Sequence, residues 1–191
     1  MQAPSCKEAH FFDNEAHDWL APNYELLHDL YPPPDGRMRF EATPISIYWP
    51  EAIPRIAAYN SAAKIIVILR DPVERAFSHW RMTRHRGEES LTFSAAIREG
   101  RERMNGRPHR LYSYVERGFY AEQLQRLAMH FPQSQVLQLS SERMRFHQQE
   151  TLVRVGEFLG IQPPASLPVS FEGQSGDMLT ADRDYLEALY S

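Results

Sequence analysis

The sequence predicts an α/β protein with a central parallel sheet flanked by helices. Three observations carry that prediction. Ile65-Ile66-Val67-Ile68-Leu69 is a short, β-branched, continuously apolar run, the pattern of a strand covered on both faces. A helix start follows at once, with Asp71 suited to the N-cap and Pro72 at the first helical position, where its missing N–H costs nothing. The whole chain then reads strand, helix, strand, helices, strand, helix, which is the α/β order.

The elements follow in chain order. Pro32-Pro33-Pro34-Asp35-Gly36 is a turn cluster. Met38-Arg39-Phe40-Glu41 reads as a short strand, stopped by Thr43-Pro44. Glu51 to Tyr59 reads as a helix with Pro54 near its first turn. Lys64 to Leu69 is the clearest strand, and the helix behind it runs to about Arg86, ending near Gly87. Helical patterns cover Phe93 to Met104, Leu111 to Glu116 and Tyr120 to His130. Gln135 to Leu139, after Pro132, is a second buried strand, and Gln148 to Leu159 is a helix closed by Gly160. After Pro163 the pattern is thin until Asp182–Tyr190, a last helix.

Composition bounds the function. A chain of 191 residues favours one domain. A formal charge of −4 argues against a general nucleic-acid binder. The longest apolar run is far short of a membrane span, and Met1 to Asp13 has no apolar core of a signal peptide. A single cysteine, Cys6, permits no internal disulfide and leans towards a cytoplasmic protein. Lys7 and Lys64 are the only lysines among 21 basic residues, so the other 19 are arginines, the better bidentate ligand for phosphate and sulfate. Eight of those lie between Arg81 and Arg110 against four glutamates, which suits either a solvated helix pair or an anionic acceptor.

The strand–helix junction carries the chemistry. Arg70 stands at the carboxyl end of the apolar strand, where open α/β sheets bind ligands. The helix N-terminus beside it offers unpaired N–H groups and the positive end of a dipole. At 3.6 residues per turn Asp71, Arg75 and Ser78 share one face, so an arginine and a hydroxyl stand ready for a phosphate. The plainer alternative is that Arg70 and Arg75 pair with Asp71 and Glu74. No metal-ligand spacing is present.

The wording of this junction, Ile68-Leu69-Arg70-Asp71-Pro72-Val73-Glu74-Arg75-Ala76-Phe77-Ser78-His79-Trp80, resembles the 3′-phosphate-binding motif of sulfotransferases that use 3′-phosphoadenosine 5′-phosphosulfate (PAPS). Lys7-Glu8-Ala9-His10-Phe11-Phe12-Asp13 resembles the K-E-x-H-F-F-D motif of the heparan-sulfate-type enzymes and their bacterial relatives. Arg117-Gly118-Phe119-Tyr120 with Gln123-Leu124, then Phe131-Pro132, Gln135-Val136-Leu137 and Phe158-Leu159-Gly160, resembles that family's later helix–strand–helix section. The likeness spans Lys7 to about Ile161.

The resemblance implies a sulfotransferase fold related to nucleotide kinases, as a single domain over residues 1–191 that is incomplete at both ends. It implies that Arg70 and Ser78 hold the 3′-phosphate, that Glu8 is the catalytic base and that His10 assists it. It implies PAPS as donor, 3′,5′-ADP as product and a hydroxyl or amine, including that of a carbohydrate, as acceptor. Glu8 and His10 would share a side if their segment is extended, with Phe11-Phe12 anchoring it. The family's glycine- and lysine-containing loop around the 5′-phosphosulfate has no counterpart here. None of the nine glycines forms a G-x-x-x-x-G-K pattern, and Met1 stands six residues before Lys7. Ala42 takes the place of a family lysine, and Gly173-Gln174-Ser175-Gly176 does not reproduce the lysine–glycine loop over the cofactor. A remnant that binds nucleotide without turnover is therefore the alternative reading. Exposed apolar sheet surface would favour self-association.

Overall fold

The computed structural model describes residues 1–163 and 177–191. Gly173-Gln174-Ser175-Gly176 lies outside the described residues. Two compact units are present, Met1–Ser61 and Ala62–Ser191, and each has its own core.

In the N-terminal unit, α1 is a single turn, Glu25–His28, and α2 spans Ala52–Tyr59. The core is aromatic: Phe11, Phe12, Leu27 and Ala52 are buried, with Trp19, Tyr24, Trp49 and Ile56 packed against them. The strand expected at Met38 to Glu41 is reduced to one parallel bridge between Gln2 and Arg39. Gln2 N–H donates to the Met38 carbonyl at 2.8 Å and Phe40 N–H to the Gln2 carbonyl at 3.1 Å. The prolines and Gly36 on one side and Thr43-Pro44 on the other leave too few residues for a ladder.

In the larger unit, β1 is Ile65–Leu69 and α3 is Pro72–His85. Asp71 caps α3 as its sequence demands, its carboxylate accepting from the Glu74 N–H at 2.9 Å. Next come α4, Phe93–Ile97, and α5, Tyr120–His130. β2, Val136–Ser140, pairs with β1 in parallel, with Val67 beside Gln138 and Ile68 beside Leu139. This is the parallel sheet with helices that the apolar runs predict. Val67 and Leu139 point to opposite faces and both are buried, while Ile68 is half-exposed. Then α6, Ser141–Phe146, follows directly from β2, and α7, Gln148–Leu159, ends on Gly160 in the left-handed conformation. The last helix, α8, spans Thr180–Tyr190. None of the described helices is long and apolar enough to cross a membrane.

Two helical expectations need correction. The segment from Phe93 to Met104 breaks at Arg98, where the backbone leaves the helical region, and continues as a 3-10 helix over Glu99–Met104. Gly100 is the weak point there, and Arg103 folds back to donate to its carbonyl at 3.1 Å. Leu111 to Glu116 is not a helix. The N–H groups of Leu111 and Tyr112 donate to the His109 ring, both at 3.1 Å, and only Glu116–Gly118 forms a 3-10 turn. The next backbone bond, from the Tyr114 N–H to the Tyr112 carbonyl at 2.8 Å, is too short in span for a helix.

The core of this unit gathers Val73 and Ala76 of α3, Phe93, Ala96 and Ile97 of α4, Tyr114, Val115 and Leu186 of α8. It fixes α3, and with it the residues at the end of β1.

Candidate active site

The residues named from sequence fall into two groups, one in each unit. In the N-terminal unit the structure brings Glu8 and His10 together, with Glu8 Oε2 3.4 Å from His10 Nε2. Simple strand alternation is not the cause. His10 has φ +49°, so the backbone turns in the left-handed region instead of running extended. Such a conformation costs a non-glycine residue on the order of 1 kcal/mol. Its surroundings hold it: the His10 N–H donates to Thr43 Oγ1 at 3.3 Å, and the Ala9 N–H donates to Glu41 Oε1 at 3.3 Å. The Thr43 hydroxyl in turn donates to the same Glu41 carboxylate. Phe11 and Phe12 anchor the turn as expected, edge to face at 5.2 Å and both buried.

A third residue completes this group. Asp13 is fully buried, and its Oδ2 accepts from His10 Nδ1 at 2.9 Å. Pairing Nδ1–H with a buried carboxylate fixes the ring and turns Nε2 towards Glu8. The result is a carboxylate–imidazole–carboxylate row whose inner end is buried and whose outer end is about one-third exposed, with 35% of the Glu8 side chain reaching solvent. A carboxylate so placed can accept a proton from an attacking hydroxyl or amine. Sequence reasoning missed Asp13, although it is the last letter of the Lys7–Asp13 motif and stands three residues from His10.

In the larger unit Arg70 leaves the end of β1 exposed, beside the capped start of α3. The Tyr120 hydroxyl donates to the Arg70 carbonyl at 2.9 Å, and burial raises the pKa of that phenol, keeping it a donor. Ser78 is exposed on α3, nearly two turns further on. Arg75 is turned elsewhere: it donates to the Tyr114 carbonyl inside the unit. Of the three residues that spacing puts on one face, Asp71 and Ser78 are exposed and the Arg75 guanidinium is turned into the unit. Arg70 does touch Glu74, at 3.8 Å, but loosely. Glu142 closes the other side of the junction, accepting from the Asp71 N–H at 3.3 Å and from the Ser140 and Ser141 hydroxyls at 2.7 and 3.0 Å. Burial alone would raise the Glu142 carboxyl, but these donors outweigh it and bring its pKa down to about 2.

The arginine-rich stretch is largely structural. Arg98 pairs with Asp182 at 2.6 Å, Arg101 with Glu116 at 2.6 Å and Arg103 with Glu89 at 2.8 Å. Among the described residues no cluster of histidine, cysteine and carboxylates is arranged to hold a metal ion.

Comparison with known proteins identifies the family. The model of the sulfotransferase domain family matches residues 4–174. Heparan sulfate glucosamine 3-O-sulfotransferase 3A1 of Mus musculus is 36% identical over 161 residues, covering 81% of this chain and 38% of that protein. The bifunctional heparan sulfate N-deacetylase/N-sulfotransferase 3 of Homo sapiens is 30% identical over 171 residues, covering 82% of this chain and 18% of that protein. The chain thus spans about two-fifths or less of these curated relatives. A sulfotransferase from Alicyclobacillus acidocaldarius has the same fold, with a TM-score of 0.80 over 98% of this chain and 80% of that one, at 24% identity. A matched span that takes in the Glu8–His10–Asp13 row, the Arg70 junction and the β1–β2 pair makes the chain a member of the sulfotransferase domain family.

Proposed function

We propose that the chain transfers a sulfuryl group from PAPS to a hydroxyl or amine of a carbohydrate acceptor. The observation that carries this reading is the Glu8–His10–Asp13 row, a solvent-reaching carboxylate beside an imidazole that a buried carboxylate orients. Glu8 takes the proton of the attacking O–H or N–H group. His10, fixed through Nδ1 by Asp13, keeps Nε2 beside the Glu8 carboxylate and donates to it when the ring carries both protons. The acceptor oxygen or nitrogen gains the S–O or S–N bond as the bond from sulfur to the bridging oxygen of the donor breaks, leaving 3′,5′-ADP.

The donor class fits the residues of the larger unit. An exposed guanidinium at a strand end, an exposed serine hydroxyl and a helix N-terminus are the groups that bind a phosphate monoester. Arg70 and Ser78 take the 3′-phosphate in this reading. The acceptor class rests on the relatives, whose names specify heparan sulfate glucosamine and both O- and N-sulfation. The lone cysteine supports a reducing, cytoplasmic setting.

Thermal unfolding of the 191-residue chain with and without 3′,5′-ADP tests the donor half. Ligand at a hundredfold excess over Kd adds about 2.7 kcal/mol, an upward shift of roughly 5–10 °C, and Arg70→Ala abolishes it. No shift in a folded sample overturns the assignment. Transfer from labelled PAPS to desulfated heparan sulfate tests the rest, with Glu8→Gln lowering kcat by about 10²- to 10⁴-fold. Binding without transfer by the unmodified chain identifies a nucleotide-binding remnant instead.

A further inference from the structure

The carboxylate nearest to Arg70 does not belong to Arg70 alone. Glu74 stands one helical turn beyond it, with Oε2 3.8 Å from Arg70 Nη2. Its Oε1 accepts from Arg183 Nη2, by far the closer contact. Arg183 lies on α8, 109 positions away in sequence, and also reaches Glu187 at 3.9 Å. Hydrogen bonding to Glu74 raises the pKa of the Arg183 guanidinium further above its already high value.

The placement of Arg183 is built into the fold. Its neighbour Asp182 is buried, accepting from Arg98 Nη1 at 2.6 Å and from Ser94 Oγ at 2.6 Å. Leu186 is fully buried in the core, and the Tyr190 hydroxyl donates to the Val115 carbonyl at 2.9 Å. Three successive turns of α8 are therefore tied down, and Arg183 is held over the first turn of α3.

The charge arithmetic gives that position a consequence. An i,i+4 glutamate beside a phosphate-binding arginine competes with the phosphate for the same guanidinium. Glu74 shares the end of β1 with Asp71, which caps α3, and with Glu142, so an arginine that engages one of these carboxylates lowers the negative charge a phosphate would meet there. We infer that Arg183 is a positioning residue for anion binding: it engages the Glu74 carboxylate and so leaves the Arg70 guanidinium to the 3′-phosphate. This rests on the reading that Arg70 takes that phosphate. All three side chains are about two-fifths exposed, so solvent screens the effect to a few-fold in affinity.

Calorimetric titration of 3′,5′-ADP into the full chain and its variants tests the inference. Arg183→Ala weakens binding about three- to fivefold. Glu74→Gln, which removes the competitor and keeps Arg183 in place, binds at least as tightly as the unmodified chain. The double variant Arg183→Ala with Glu74→Gln recovers the unmodified affinity, because the competitor that Arg183 restrains is gone. Equal affinity of Arg183→Ala and the unmodified chain overturns the inference, as does a double variant as weak as Arg183→Ala, which would make Arg183 a direct ligand. Weaker binding by Glu74→Gln overturns it whether or not Arg183→Ala folds. Arg70→Ala separates the two levels: loss of binding there with no effect of Arg183→Ala rejects only the role of Arg183. No binding by the unmodified chain rejects the phosphate site as well.

Discussion

His79 is a buried imidazole inside the larger unit. It is buried on α3, its Nδ1 has no hydrogen-bond partner among the described residues, and its ring lies edge-on to Tyr114 at 4.8 Å. Burial, then the guanidiniums of Arg117, Arg75 and Arg86, push its pKa down to about 2. The folded chain keeps it neutral, whereas the unfolded chain protonates it below about 6.5. The unfolded state therefore binds more protons, and stability falls as pH drops from about 6.5 towards 2. The slope from this residue approaches about 1.4 kcal/mol per pH unit. Urea midpoints at pH 7.5 and pH 5 measure it, and His79→Phe, which keeps a ring against Tyr114, flattens that part of the slope. Asp13→Asn tests the other buried partner of a histidine. Removing the charge beside His10 Nδ1 lowers sulfuryl transfer about a hundredfold or more in initial-rate assays, with the nitrogen-15 shifts of the ring reporting the changed proton position. At this scale the sequence was informative only locally. Glu8, His10, Phe11 and Phe12 stand in one short motif and could be read together. The Glu41 and Thr43 contacts that hold the turn lie more than thirty residues on, and no spacing rule connects them to Glu8.

Among the elements, one ion pair replaces the missing helix. Glu89 is buried and takes two bonds from Arg103, at 3.1 and 2.8 Å, one from the Tyr114 hydroxyl at 2.9 Å and one from the Leu91 N–H at 2.9 Å. It ties the loop after α3 to the 3-10 helix and to the irregular segment before α5. Burial alone would raise the Glu89 carboxyl; the Arg103 bonds and the other donors override it and hold it below the ordinary glutamate range. Glu89→Ala strands Arg103 and the Tyr114 hydroxyl, and costs about 2–4 kcal/mol in denaturant unfolding. Gly118 has a similar standing, because a Cβ there would run into the Tyr190 ring. Gly118→Ala displaces the end of α8 and costs about 1–3 kcal/mol, seen as a lower Tm. The apolar strands, the Asp71-Pro72 start and the Gly160 stop were legible because each is a local signal. The segment from Leu111 to Glu116 was not, because its Tyr114 hydroxyl is claimed by Glu89 and its Tyr114 N–H turns back to the Tyr112 carbonyl, neither of which an apolar spacing reveals.

For the whole molecule, charge and apolar exposure act together. The formal charge is −4 with a calculated pI of 6.1, and Leu20, Met129, Phe146 and Leu179 are largely exposed. Self-association therefore rises as pH approaches 6 and falls again at pH 8, where repulsion between chains returns. Sedimentation velocity at the two values checks this. The parallel pairing of β1 with β2 sets a different constraint, one of timing. Ile65 meets Val136, so 71 positions of chain separate the partners. Closing a loop of that length costs about 4 kcal/mol in chain entropy before any ladder bond forms. On a ribosome adding about 5–20 residues per second, β1 waits roughly 4–14 s for its partner to be made. During that interval the apolar Ile65–Leu69 strand lacks its ladder partner. Conditions that slow synthesis between these strands lengthen the time for which the longest uninterrupted apolar run in the chain stays unpaired.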